Sequence, residues 1–123
     1  MKTVMVIDDD WSIREVVSLM LERAGYSVRC AATALEGLAF LADAVPDALF
    51  LDVMMPDCNG IELALEIHQK WPVVPMVLMS GQVSTEADSI QNFIGQFGIK
   101  GSISKPFTNE QLLDVLDSIL KAG

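Results

Sequence analysis

Five residues able to do chemistry stand where short apolar runs end. Asp8 and Asp9 follow Val4-Met5-Val6-Ile7, and Asp52 follows Ala48-Leu49-Phe50-Leu51. Ser80 follows Met76-Val77-Leu78-Met79, and Lys105 follows a short run from about Gly101 to Ser104. Three carboxylates in one cleft would repel each other strongly, and one lysine cannot offset three. A divalent cation can. Oxygen ligands with neither cysteine nor histidine beside them suit a hard ion such as magnesium. Magnesium, a lysine and a hydroxyl are together the equipment for holding a phosphoryl group, and one carboxylate is then free to act as nucleophile and form an acyl phosphate.

That chemistry needs the five residues in one place, and the pattern of elements supplies it. Five apolar runs alternate with five helical patterns. The first helical pattern carries Ile13, Val16, Val17, Met20, Leu21 and Ala24 at helix-face spacing, with Asp10 as N-cap and Gly25 as the C-terminal stop. A weaker run spans Tyr26 to Ala31, and a helix follows over about Thr33 to Ala42. After Asp52 comes a loop, Met54 to Gly60, and then a helix from about Ile61 to Lys70. Ile90, Phe93, Ile94 and Phe97 mark one face of a fourth helix that Gly98 stops. Thr108 and Gln111 form a capping box for the last helix, whose buried face is Leu112, Val115, Leu116, Ile119 and Leu120. Runs that are apolar throughout, alternating with helices, describe strands covered on both sides. The expected fold is therefore α/β, a five-stranded doubly wound parallel sheet. In such a sheet all carboxyl ends lie along one edge, and ligands bind where the strand order reverses.

Taken singly, each residue has a plainer reading. Asp8-Asp9-Asp10 suits a helix N-terminus, Asp52 a loop, and Ser80-Gly81 a turn. Their joint placement at four strand ends is what argues for a site. Met54 and Met55 read as loop packing, His68 as solvated or structural, and the aromatic face of the fourth helix as core.

Composition bounds the rest. The 123 residues fit a single domain, 1–123, and 51 % apolar content is enough for a core. The longest apolar run, Leu38 to Ala42, is too short to span a bilayer, and the N-terminus leads straight into a strand with no signal-like segment. A formal charge of −9 argues against direct binding to nucleic acid or anionic lipid. Two cysteines, Cys30 and Cys58, without CxxC spacing suggest a reduced cytoplasmic protein with no disulfide framework or zinc site.

The sequence resembles the receiver domains of two-component response regulators along its whole length. The resemblance rests on Val6-Ile7-Asp8-Asp9-Asp10, on Leu49-Phe50-Leu51-Asp52-Val53-Met54-Met55-Pro56-Asp57 with Asn59-Gly60, on Val77-Leu78-Met79-Ser80-Gly81, and on Ser104-Lys105-Pro106-Phe107. It implies a flavodoxin-like (βα)5 fold with strand order 2-1-3-4-5. It implies Asp52 as phosphoacceptor and a magnesium ion held by Asp9, Asp52 and the Met54 backbone carbonyl, with Asp8 acting through water. Ser80 and Lys105 would contact the phosphoryl oxygens, and the Lys105–Pro106 bond would be cis. The implied partners are a histidine kinase or histidine phosphotransfer protein, and a downstream effector or an output domain elsewhere. The face built from the fourth helix, the fifth strand and the last helix is the implied switch surface and candidate dimer contact. Such a domain assists its own phosphorylation and dephosphorylation but is not a turnover enzyme. Two features depart from the pattern. Ser102 stands three residues before Lys105, where the family commonly has an aromatic. Ser80 and Lys105 are also widely spaced, which puts extra length in Gln82 to Asp88 or in the fourth helix.

Two other readings compete. One is a small magnesium-dependent aspartyl-phosphate hydrolase of the haloacid dehalogenase type. Asp8-Asp9-Asp10 has its Asp-x-Asp spacing, but no Gly-x-Thr follows and the chain is short for a core plus cap. The other is an interaction domain that keeps the fold and is never phosphorylated, a reading that the intact acid set opposes and Ser102 leaves open.

Overall fold

The computed structural model describes residues 2–56, 58–81 and 94–122. Five strands, β1 (Thr3–Ile7), β2 (Ser27–Ala31), β3 (Ala48–Asp52), β4 (Met76–Ser80) and β5 (Ile99–Ser104), form one sheet in the order β2-β1-β3-β4-β5. Every pairing is parallel, with Val4 opposite both Val28 and Ala48, and Leu49 opposite Met76. The helices are α1 (Trp11–Arg23), α2 (Ala34–Asp43), α3 (Gly60–Lys70) and α4 (Asn109–Ala122). Two-residue strands at 54–55 and 58–59 make a small antiparallel ladder beyond β3. Of the expected fourth helical pattern, Ile90 and Phe93 lie outside the described residues, as does the expected extra length at Gln82 to Asp88; residues 94–98 form turns rather than a helix, and Phe97 is exposed rather than core.

Alternation along the strands divides the core in two. Met5, Ile7, Leu49, Leu51, Met76 and Leu78 pack with Leu41, Leu63, Ala64 and Ile67 on the side of α2 and α3. Val4, Val6, Ala48, Phe50, Val77 and Met79 pack with Val17, Leu21, Leu112, Leu116 and Ile119 on the side of α1 and α4. Both faces of the central strands are therefore dry, as their unbroken apolar runs require. Truncating one of these side chains, Leu51→Ala for example, should cost about 2–5 kcal/mol.

The caps fall where the sequence places them. Asp10 accepts the Ser12 N–H at 2.9 Å, and Gly25 closes α1 at a φ of 96°, in the left-handed region that favours glycine. Thr108 and Gln111 exchange bonds of 2.9 and 3.1 Å at the head of α4. Three details differ from expectation. Val16 is exposed, because α1 turns only the narrower Val17–Leu21 stripe fully inward. β5 begins at Ile99, before the glycine expected to open it, and it slips register against β4 between Met76 and Val77. Met54 is also largely exposed, so of the two loop methionines only Met55 packs. No helix among the described residues is long and apolar enough to cross a membrane.

Candidate functional site

The carboxyl ends of β1, β3, β4 and β5 bring Asp8, Asp52, Ser80 and Lys105 to one edge. Asp8, just past β1, is fully buried, and its backbone and one side-chain oxygen are held by hydrogen bonds. Its N–H donates to the Ala31 carbonyl at 3.1 Å, and its Oδ1 accepts the Asp10 N–H at 2.9 Å. Its own carbonyl accepts from Arg14 Nη1 at 2.7 Å. Asp52 closes β3 and is 4 % exposed, and its Oδ1 accepts the Met54 N–H at 3.1 Å. The next residue, Val53, is pinned on both sides, its N–H donating to the Met79 carbonyl at 3.0 Å and its carbonyl accepting the Gly60 N–H at 3.1 Å. A Cβ on Gly60 would stand 2.4 Å from Val53 Cα and 2.6 Å from the Asp52 carbonyl oxygen, so only glycine allows this approach.

Ser80 is buried at the end of β4, and its carbonyl accepts the Lys105 N–H at 2.7 Å. The Lys105–Pro106 peptide is cis, as the resemblance implied. Lys105 Nζ lies 2.7 Å from Asp8 Oδ2 and 3.6 Å from Asp52 Oδ1. Asp9 is exposed.

One carboxylate oxygen each from Asp8, Asp9 and Asp52 lies within 4.8 Å of the others. Among the described residues, Asp8 Oδ2 is buried with no hydrogen-bond donor aligned on it, and the Lys105 charge faces it at 2.7 Å. Three converging carboxylates with an unsatisfied buried oxygen fit a small divalent cation. The electrostatics agree. Burial is the main reason the Asp52 pKa rises to about 6; Asp8 and Asp9 push it the same way, while the Met54 N–H and Lys105 oppose. Burial works against the charge on Lys105, but Asp8 and then Asp52 outweigh it and raise its pKa.

Asp10 is not part of this constellation. It is exposed and spends its side chain on Ser12, whose N–H and hydroxyl lie 2.9 and 2.7 Å away and hold its carboxyl below the usual range. An Asp-x-Asp pair working from residues 8 and 10 is therefore not assembled. His68 lies on α3 with its ring edge-on to Phe97, centroids 6.4 Å apart, which bears out a structural role. Arg14 escaped the sequence reading. It binds the site through a backbone carbonyl, and its only signal was a basic residue one turn into α1.

Comparison with known proteins agrees with this geometry. Residues 4–117 match the family model described as the response regulator receiver domain. The phosphate regulon transcriptional regulatory protein PhoB of Pseudomonas aeruginosa is 32 % identical over 122 residues, 98 % of this chain and 52 % of that protein. Response regulator MprA of Mycobacterium avium is 32 % identical over 120 residues, 96 % of this chain and 50 % of that protein. The chain thus spans about half the length of these curated relatives. Among solved structures, a CheY-like receiver domain protein from Methanospirillum hungatei superposes with a TM-score of 0.88 at 30 % identity, covering 99 % of this chain and 95 % of that one. Vibrio cholerae CheY4 superposes with a TM-score of 0.87 at 34 % identity, covering 98 % and 99 %.

Proposed function

The chain belongs to the response regulator receiver domain family, and from that premise we propose that residues 1–123 act as one phosphorylation-dependent switch with Asp52 as phosphoacceptor. The observation that carries this reading is the surroundings of Asp52: a buried carboxylate, at a strand end, grouped with Asp8, Asp9 and Lys105. Asp52 supplies the attacking oxygen once its proton is gone, and the donor is a phosphohistidine on a histidine kinase or phosphotransfer protein. Lys105 and the Ser80 hydroxyl bind the oxygens of the transferred group. Asp8, Asp9, Asp52 and the Met54 carbonyl are the residues to hold magnesium. When bound, the ion offsets the clustered carboxylates and the charge on the phosphoryl group.

Phosphorylation adds about −1.5 to −2 charges to a pocket already short of cations. That charge biases a two-state equilibrium at the surface around β5 and α4, where an effector, an output domain or a second copy reads it. The domain accepts and loses its own phosphoryl group rather than turning over a substrate. It works in the cytoplasm, where kinase and phosphodonor are found.

Intact mass after incubation with acetyl phosphate and magnesium tests the assignment. Wild type should gain one acid-labile phosphoryl group, and Asp52→Asn should gain none. Equal labelling of Asp52→Asn would overturn it, and sustained turnover of a small phosphomonoester would favour the hydrolase reading instead.

A further inference from the structure

The contact from Arg14 Nη1 to the Asp8 carbonyl, 2.7 Å, reaches across six residues from α1 to the end of β1. That carbonyl lies just past the strand, beyond the ladder that pairs β1 with β2 and β3, and as a backbone acceptor it needs a partner there. The carbonyl also belongs to the peptide plane that joins Asp8 to Asp9. Fixing its direction fixes the first atoms of Asp9. The two neighbouring acids are treated differently: the Asp8 side chain is buried and bound by the Asp10 N–H and Lys105, whereas Asp9 is exposed. The orientation of Asp9 toward the other carboxylates therefore depends on its backbone.

We propose that Arg14 is a positioning residue for the cation site: by holding the Asp8 carbonyl it aims the Asp9 carboxylate at Asp8 and Asp52. The inference rests on the reading of these three acids as a magnesium site. Two effects of Arg14 oppose each other. Its positive charge near the pocket repels a cation, so removing charge alone would tighten binding. Its hydrogen bond organises the ligands, so removing that bond loosens binding. Partners one step removed from a metal typically change affinity by about 10–100-fold when lost, and they act by orienting the ligands. At this site the orienting effect outweighs the charge.

The experiment is a magnesium titration, followed by calorimetry or Trp11 fluorescence, of wild type and Arg14→Met, which keeps an aliphatic stem and loses the donor. Wild type should bind, and the variant should bind about tenfold more weakly. In chelator the Asp9 amide resonance, part of the same peptide plane, should shift between the two proteins. The rate of phosphate uptake should fall at low magnesium and recover at high magnesium, which a general loss of folded protein would not do. Unchanged or tighter binding in Arg14→Met overturns the inference. Failure of wild type itself to bind magnesium would instead sink the reading of the site. Should Arg14→Met not fold, Arg14→Lys keeps the charge with a shorter reach. Binding weakened twofold or more then supports the positioning role, and wild-type binding overturns it.

Discussion

Lys105 is bound to Asp8 more closely than to Asp52: its Nζ is 2.7 Å from the first and 3.6 Å from the second. The lysine thus neutralises the fully buried acid and leaves Asp52 less well compensated, in line with its raised pKa. Removing one member of a buried ion pair costs about 3–5 kcal/mol. Lys105 keeps some contact with solvent, which lowers the figure. Lys105→Met should lose about 2–3 kcal/mol by urea unfolding in chelator, and magnesium should restore part of it. An equal loss with and without magnesium would mean that the cation does not share this charge.

Asp52 makes the metal-free fold sensitive to pH in an unusual direction. Its pKa in the folded chain, about 6, lies above the roughly 3.9 of an unfolded aspartate. The folded state therefore binds more protons between those values. The stability this gives is complete below the lower pKa and is lost as pH rises through the upper one. Asp52→Asn lacks the effect. In chelator, the melting temperature of Asp52→Asn should pull ahead of wild type between pH 4.5 and 7 and then stay level. A difference that is constant across that range would contradict the assignment.

Asp9 tests whether the acids are a strained set kept for function or ordinary structural partners. It is exposed and contributes charge to the cluster without filling the core. Asp9→Asn should raise the melting temperature in chelator by about 3 °C, with a smaller gain in magnesium. A fall in chelator would assign Asp9 a supporting role in the fold.

The legible parts of this molecule were those with a period or a strand end to announce them. Apolar runs with no alternation told of a sheet buried on both faces, and Asp8, Asp52, Ser80 and Lys105 could be placed together because parallel strands share an edge. The caps at Asp10, Gly25 and Thr108 were readable because their bonds are local. Contacts made by backbone groups were not. Arg14 on the Asp8 carbonyl and Gly60 against Val53 depend on the path of the main chain, which leaves no mark in residue spacing. The register slip of β5 was hidden for the same reason, and Val16 shows that helix-face spacing marks a wider stripe than the neighbours cover.

Ser102 sets the last expectation. It pairs in register with Leu78 on β4, two residues before Ser80, so β5 carries a hydroxymethyl group where related domains commonly carry a ring. A groove of about 580 Å³ borders it, lined in part by Gln111, Asp114 and Val115 of α4. Burying an aromatic ring in one state and not the other biases an equilibrium by roughly 1.5–3 kcal/mol, a population ratio of about ten to a hundred. Ser102 has no ring to bury and cannot supply that bias. The Ser80 hydroxyl can still follow the phosphoryl group and draw the chain after it. Amide shift mapping with beryllofluoride and magnesium should therefore show its largest changes at Ser80 and Gly81, with β5 nearly silent. Ser102→Tyr should bring β5 into the response, because the groove beside it has room for a ring. Large wild-type changes around Ser102, with Ser80 and Gly81 quiet, would place the switch in β5 after all.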